Sequence, residues 1–377
     1  MLYLDHNATT PPSQAVCAAV ERALTDCWAN PSSVHRAGQA AKYEVELARA
    51  SIAALIGAKS REITLTSGGT EALDLAIRGV LAANPGKLLV TTKVEHSAVR
   101  ELAEELEKST PNIVKWCPID HDGVVDIEAL DSLLDANVGL VCVQWANNET
   151  GVIQPVDRIA SMCRAKGVML CCDGTQWIGK MPCAAPPADL MAFAPHKFHG
   201  PKGVGVLYVA GGVRLRPRLI GSQELGRRAG TENVPGIMGA GVAAQEAMDW
   251  LGDAASRDRL CAMRELFERD VERLIPDAVI HGRSVARLWN TSNIGIPRLE
   301  AEALLMLLSE RGVCASAGAA CSSGSLEPSP VLLAMGIDPV IAHGSVRFSM
   351  SRHTTEGELK QAAEIFAECV RIARRSF

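Results

Sequence analysis

From about residue 60 to residue 210 the chain alternates short β-type runs with helical stretches, and this constrains its fold more than any other feature. The runs are ITLT at 63–66, LLVTT at 88–92, GLVCVQW at 139–145, VMLCC at 168–172, LMAFA at 190–194 and GVGVLYV at 203–209. Such alternation implies a largely parallel α/β sheet. In sheets of that kind ligands sit beyond the carboxyl ends of the strands. Polar clusters fall at those ends here: SGGT after the first run, Glu95-His96 after the second, Asn147-Asn148 after the third, Asp173 after the fourth and His196-Lys197 after the fifth.

Beyond about residue 250 the texture changes to a helix from Asp258 to Ile275, a strand-like SNIGI at 292–296 and a helix from Glu300 to Arg311. A small-residue loop from Ala315 to Pro330 and a final helix from Thr355 follow, which together read as a second, smaller α+β unit. With 377 residues, 47% of them hydrophobic and 21% charged, the chain can bury a large core. A net charge of -5 offers no general electrostatic reason to bind nucleic acid or an anionic membrane surface. The start MLYLDHNATTPP has no basic region followed by an apolar one, and polar residues interrupt every apolar run before membrane-spanning length. A soluble cytoplasmic protein is expected. The twelve cysteines are dispersed, form no CxxC pair and in several cases lie inside apolar runs, so reduced thiols are expected.

Four features carry candidate chemistry, each with a plainer alternative. Thr66-Ser67-Gly68-Gly69-Thr70-Glu71 joins a strand to the amphipathic run Ala72, Leu73, Ala76, Ile77, Val80. It is either an anion site at a helix N-terminus or a glycine turn capped by Thr70. Asp173 closes an apolar strand, where a carboxylate needs a cation or hydrogen-bond donors; it either meets a protonated pyridine nitrogen or caps a loop. Lys197 follows an apolar strand directly and suits a Schiff-base amine, with Lys202 as rival and a solvated surface lysine as alternative. Cys321 lies among small residues in GAACSSGS, so its thiol is expected to be exposed and mobile, unless it is an idle loop cysteine. His96, His196 and His199 lack an obvious metal-ligand spacing, and no resident metal is expected.

Taken together, these segments resemble the cysteine desulfurases of the class V, fold-type I pyridoxal-phosphate enzymes, particularly the group supplying sulfur for nitrogenase and general iron–sulfur cluster assembly. The resemblance is carried by YLDHNATT at 3–10, NPSSVHRAG at 30–38, TSGGTEALDLAI at 66–77, EHSAV at 95–99, WANNETGVI at 145–153 and CDGTQ at 172–176. HKFHGPKGVG at 196–205, RRAGTEN at 227–233, GAACSSGSLEPS at 318–329 and AHGSVRFSMSR at 342–352 complete it.

The resemblance implies a mostly parallel seven-stranded sheet flanked by helices. It also implies a large cofactor-binding domain over residues 15–250, and a small α+β domain from residues 1–14 and 251–377 that carries the cysteine loop. Lys197 would carry pyridoxal 5'-phosphate, Asp173 would pair with its pyridine nitrogen, Gln176 would bond its phenolic oxygen and His96 would stack on the ring. Gly69, Thr70 and His196 would hold the phosphate, with Thr231 reaching it from the other subunit of a homodimer. Asn148, also beside the cofactor, and Arg347 would hold the carboxylate of L-cysteine.

Cys321 would collect the sulfur as a persulfide for an iron–sulfur scaffold or other acceptor protein, and would be the residue to touch a transferred cluster. Selenocysteine lyase and class V aminotransferase are the alternative activities. Two departures from the family pattern stand out. Ala194 replaces a phosphate-contacting serine and is followed by Pro195, and the chain ends at Phe377 without the longer tail that housekeeping members use in scaffold docking.

Overall fold

The computed structural model describes residues 1–317 and 327–376. Strand β1 (Leu2–Tyr3) is followed by seven strands of one sheet: β2 (Ile63–Thr66), β3 (Leu88–Thr91), β4 (Val114–Trp116), β5 (Val138–Gln144), β6 (Met169–Asp173), β7 (Leu190–Phe193) and β8 (Gly205–Val209). Their spatial order is β2-β8-β7-β6-β5-β3-β4. The pairs from β7 through β6, β5 and β3 to β4 are parallel, and only β8 runs antiparallel to its neighbours.

The burial pattern explains the sheet. Successive strand residues point to opposite faces, and a parallel strand covered on both faces needs apolar side chains at every position. In β5, Leu140 and Cys142 enter one core with Ala72, Leu73, Ala76, Ile77 and Val80 of the helix Gly69–Ala83. Val141 and Val143 enter a second core on the other face, with Val45 and Ile52 of the helix Arg36–Leu55 and Ile237 and Ala244 of the helix Val234–Leu251. Strand β7 divides the same way, Leu190 and Ala192 to one face, Met191 and Phe193 to the other. Edge strand β4, VKW, is short and only partly buried, which is why apolar runs alone do not reveal it.

A second sheet, of order β12-β13-β10-β9, is built from β9 (Val279–Ile280), β10 (Thr291–Gly295), β12 (Ser316–Ala317) and β13 (Ser345–Ser349), all antiparallel. Strand β11 (Val313–Cys314) instead pairs in parallel with β1. Strand β12 lies inside the stretch that reads as a loop; two small residues carry no periodicity, and pairing with β13 makes them a strand. Phe348 of β13 meets Phe267 and Phe366 edge to face at 5.3 and 5.0 Å, in a core shared with the helices Ala254–Leu274 and Glu356–Ser376. No helix among the described residues is long and apolar enough to cross a membrane.

Residues 4–10 connect the two sheets. The His6 N–H bonds to the Ser349 carbonyl at 3.2 Å, and four residues later the Thr10 N–H bonds to the His196 carbonyl at 2.9 Å. On the far side of the large sheet, β8 begins so close to the turn before the helix Gly69–Ala83 that a Cβ on Gly205 would lie 2.2 Å from the Gly68 carbonyl. Glycine is required there by contact rather than by conformation.

Replacing Phe348 by alanine leaves a cavity between two aromatic rings and should lower the unfolding free energy by about 3–5 kcal/mol. Urea unfolding followed by circular dichroism measures this, and a loss below about 1 kcal/mol would contradict the packing described.

Candidate active site

The carboxyl ends of β5, β6 and β7 and the N-termini of two helices enclose a cavity of about 220 Å³. Gly69 and Thr70 open the helix Gly69–Ala83, whose first-turn N–H groups lack intrahelical acceptors and make that end electropositive. His96 enters after β3, where its Nδ1 accepts from the Ala98 N–H at 3.1 Å and caps the helix Ser97–Ser109. Asn148 follows β5, Asp173 ends β6 with Gln176 one turn beyond, and the 3-10 turn Pro195–Lys197 after β7 brings in His196 and Lys197. Gln144, Ala146, Thr175 and Ala194 complete most of the wall.

The cavity has an acidic and a basic side. Asp173 is only 6% exposed, and its Oδ1 accepts from the Thr175 N–H at 2.9 Å. Lys197 Nζ donates to the carbonyls of Asn7 and Ala8 at 2.7 and 2.9 Å. His196 Nδ1 lies 3.2 Å from the Thr9 hydroxyl, and burial, with Lys197 and Lys202 nearby, pulls its pKa down to about 4. Neutral at physiological pH, its ring can donate to an anion from one nitrogen and accept at the other.

Behind His96, desolvation lifts Glu95 to about 8, opposed by the Thr92 hydroxyl and aided by the negative charge of Asp173. Glu95 is thereby held as a neutral acid at physiological pH.

Asn148 Oδ1 is buried and finds no hydrogen-bond partner among the described residues. The Asn148 backbone carbonyl accepts from Arg347 Nη1 at 3.0 Å and from Asn7 Nδ2 at 3.1 Å. Arg347 is 2% exposed; its Nη2 reaches Asp5 Oδ1 at 2.7 Å, while its Nε is buried and unpartnered among the described residues. Among the described residues, an unmet amide acceptor at the cavity wall and an unmet guanidinium donor behind it are thus neighbours.

Of the residues singled out in the sequence, the cavity collects Gly69, Thr70, His96, Asn148, Asp173, Gln176, His196 and Lys197, with Arg347 immediately behind Asn148. Lys202 is exposed and absent from the wall, which separates it from Lys197. Thr231 is exposed on the surface and takes no part in this cavity of a single chain. Cys321 lies outside the described residues. At Ala194, where a serine hydroxyl is missing, the Thr175 hydroxyl lies on the same side: a Cβ on Gly69 would sit 3.4 Å from Thr175 Oγ1 and 3.7 Å from the Ala194 methyl.

Sequence reasoning gave no role to Thr175, Gln144, Asn7 or Lys180. The first two could have been found as polar residues beside strand ends; the others had no signal beyond lying in or next to recognised motifs.

The lineage of this strand-end cavity is that of the Aminotransferase class-V family, whose model matches residues 2–361. The chain belongs to the class-V aminotransferases. Within that family it is 42% identical to a cysteine desulfurase of Nostoc sp. over 98% of this chain and 93% of the relative. It is also 42% identical to the cysteine desulfurase NifS of Azotobacter vinelandii, over 95% and 90%. A solved NifS-like protein superimposes with a TM-score of 0.90 at 33% identity, covering 98% of this chain and 99% of that one.

This class-V chain keeps several histidines buried and neutral around the lysine. Burial, with His199 and Lys180 nearby, takes His6 to about 3; burial, with Arg352 and His353 nearby, takes His199 to about 4, against a bond to the Pro11 carbonyl; His196 stands at about 4. Their folded-state pKa values lie below the unfolded value, so the unfolded chain binds more protons in acid, and the stabilisation present above about pH 6.5 is lost as pH falls toward 4. The three histidines outnumber Glu95, whose raised pKa contributes with the opposite sign, so the melting temperature should drop steadily as pH falls below about 6.5. A constant melting temperature between pH 6.5 and 4.5 would contradict the neutral histidine cluster.

Proposed function

We propose that this chain is a pyridoxal-phosphate-dependent cysteine desulfurase that converts L-cysteine to L-alanine and passes the sulfur through Cys321 to iron–sulfur cluster assembly. The observation that carries the reading is that a buried carboxylate (Asp173), a strand-end amine (Lys197) and an electropositive helix start (Gly69, Thr70) share one cavity of about 220 Å³. The identity to named cysteine desulfurases over nearly the whole chain supports the activity.

The donor set fits the cofactor. The first-turn N–H groups at Gly69 and Thr70, the neutral His196 ring and the Thr175 hydroxyl suit a phosphate; Asp173 suits a protonated pyridine nitrogen; Gln176 suits a phenolic oxygen; His96 offers a ring to stack. The unpartnered Asn148 Oδ1 is the kind of buried atom that a ligand satisfies. When bound, the cofactor supplies the electron sink that allows the Cα–H bond of an amino acid to break.

The chain's own residues do the rest. Lys197 Nζ, carried on the turn after β7, would move the proton at the substrate Cα. Arg347 and Asn148 orient the substrate carboxylate, the guanidinium matching its planar acceptor geometry. The Cys321 thiolate takes the substrate sulfur: the carbon–sulfur bond breaks, a sulfur–sulfur bond forms on Cys321, and protonation of the remaining carbon skeleton gives alanine. Only a thiolate is nucleophilic enough, and buried thiols are poor candidates, since burial pushes Cys117 and Cys163 up to about 12.

The same reading assigns residues 15–250 to a cofactor domain and residues 1–14 with 251–377 to a small one. The way the cores divide supports this, Val16 and Ala23 packing with the large sheet, Leu4 and Leu260 with the second. It assigns a homodimer in which Thr231 reaches the partner's phosphate; exposed Ile220 and Leu225 beside that segment support a covered face. The sulfur acceptor is a scaffold or carrier protein, and a reducing cytoplasm is where such thiols persist.

The purified protein should show a visible absorption band and, with cysteine and a reductant, form alanine and protein-bound persulfide. Cys321→Ala should keep the band and lose the persulfide, and Lys197→Ala should lose both. Equal alanine from wild type and Cys321→Ala would overturn the desulfurase reading in favour of another class-V activity. Asp173→Asn should lower kcat by at least about 100-fold, because a neutral amide cannot keep the pyridine nitrogen protonated.

A further inference from the structure

Behind Lys197 lies a second, much smaller cavity of about 20 Å³, walled by Lys197, His6, His199 and a second lysine, Lys180. Lys180 is 4% exposed and lies outside the wall of the main cavity. Its Nζ donates to Asn7 Oδ1 at 2.8 Å and to Gln176 Oε1 at 2.5 Å. A buried amine without a carboxylate partner is unfavourable, and among the described residues the charged groups bearing on Lys180 are cations, Lys197 and Arg347.

The two bonds have a definite consequence. A carboxamide is nearly symmetric in shape, and only its hydrogen-bond partners decide which end is oxygen and which is nitrogen. Lys180 Nζ donates to Gln176 Oε1, and Gln176 accordingly turns its oxygen to Lys180 and its Nε2 away. Nε2 donates to the Asn7 carbonyl at 3.1 Å, the same carbonyl that receives Lys197 Nζ at 2.7 Å. Asn7 is fixed in the same manner: its Oδ1 also accepts from Asn290 Nδ2 at 2.9 Å, and its Nδ2 donates to Thr291 Oγ1 at 2.9 Å. The position of Lys180 is itself set by Trp289, whose indole N–H bonds to the Lys180 carbonyl at 3.0 Å.

We propose that Lys180 is a positioning residue for the cofactor pocket: by holding the oxygen ends of Gln176 and Asn7, it keeps the NH2 edge of Gln176 available to the phenolic oxygen and the Asn7 carbonyl beneath Lys197. The inference rests on the pyridoxal-phosphate reading above. Burial, with Lys197 and Arg347, lowers the Lys180 pKa well below the lysine range, which favours the neutral amine. That form still carries two N–H donors for its two acceptors. Besides Lys197 and Arg347, the titrating groups coupled to it are His6 and His196.

The test is the pH midpoint of the bound cofactor's visible absorption change in the loaded enzyme, measured for wild type, Lys180→Met, Gln176→Met and the double variant. With Gln176 released, the phenolic oxygen loses a donor that favours its anionic form. The midpoint should therefore rise by about one pH unit in Lys180→Met, and kcat should fall about 10-fold with little change in KM for cysteine. Gln176→Met should reproduce that rise, and adding Lys180→Met to it should add nothing further.

An unchanged midpoint in Lys180→Met would overturn the proposal. So would a rise that adds in full on top of Gln176→Met, since Lys180 would then act by its charge alone. If Lys180→Met is not recovered folded, Lys180→Gln, whose shorter side chain still carries an amide NH2, should give a smaller rise; no rise would again overturn it. Absence of the band in wild type would instead defeat the cofactor reading, so the two failures are distinguishable.

Discussion

The hydrogen bonding of Asn7 is the interaction on which the rest of the site depends. Buried main-chain and amide groups must all find partners, and Asn7, 1% exposed, finds them in five different parts of the chain. Its N–H bonds to Ser349 Oγ and its side chain to Thr291 and Asn290, all in or beside the second sheet. Its carbonyl receives Lys197 and Gln176 from the large sheet, and its Oδ1 receives Lys180. One residue thus joins the two sheets across the cleft and presents the acceptor on which the Lys197 amine rests.

Around that junction the protein buries more ionisable groups than folding alone would favour. Glu95, Lys180, Arg347 and Asp173 are all less than a tenth exposed, and each unpaired buried charge costs stability. The arrangement limits the cost by neutralising some groups and pairing others. Glu95 is pushed toward its neutral acid and Lys180 toward its neutral amine, while Arg347 keeps Asp5 as counter-ion at 2.7 Å. Asp173 lines the cavity, where a ligand can complete its pairing. Such local conflict with ordinary burial preference is expected where binding and catalysis are built into a fold.

Much of the fold could be read from the chain itself, because the large sheet is buried on both faces. A strand such as β5 needs apolar side chains at every position, so it stands out as a continuous run, and the polar residue that ends it marks the edge where ligands bind. That logic put Glu95-His96, Asn147-Asn148, Asp173 and His196-Lys197 at the ligand-binding edge, where the family resemblance singled out His96 and Asn148. It failed for β4 and β12, where partial burial or very short length erases the pattern and pairing with a neighbour supplies the stability instead.

What the sequence determined by itself was therefore the local information: strand and helix periods, the polar punctuation at strand ends and the motif set of a class-V enzyme. The tertiary structure decided which of two lysines in HKFHGPKG faces the cavity, since the turn after β7 carries Lys197 inward and leaves Lys202 exposed. It also decided that Asn7 and Lys180, 173 residues apart, touch each other and orient Gln176. No spacing rule reaches across such a separation, because contacts of that kind exist only once the N-terminal segment has crossed from the second sheet to the first and burial has left each polar atom with a single set of partners.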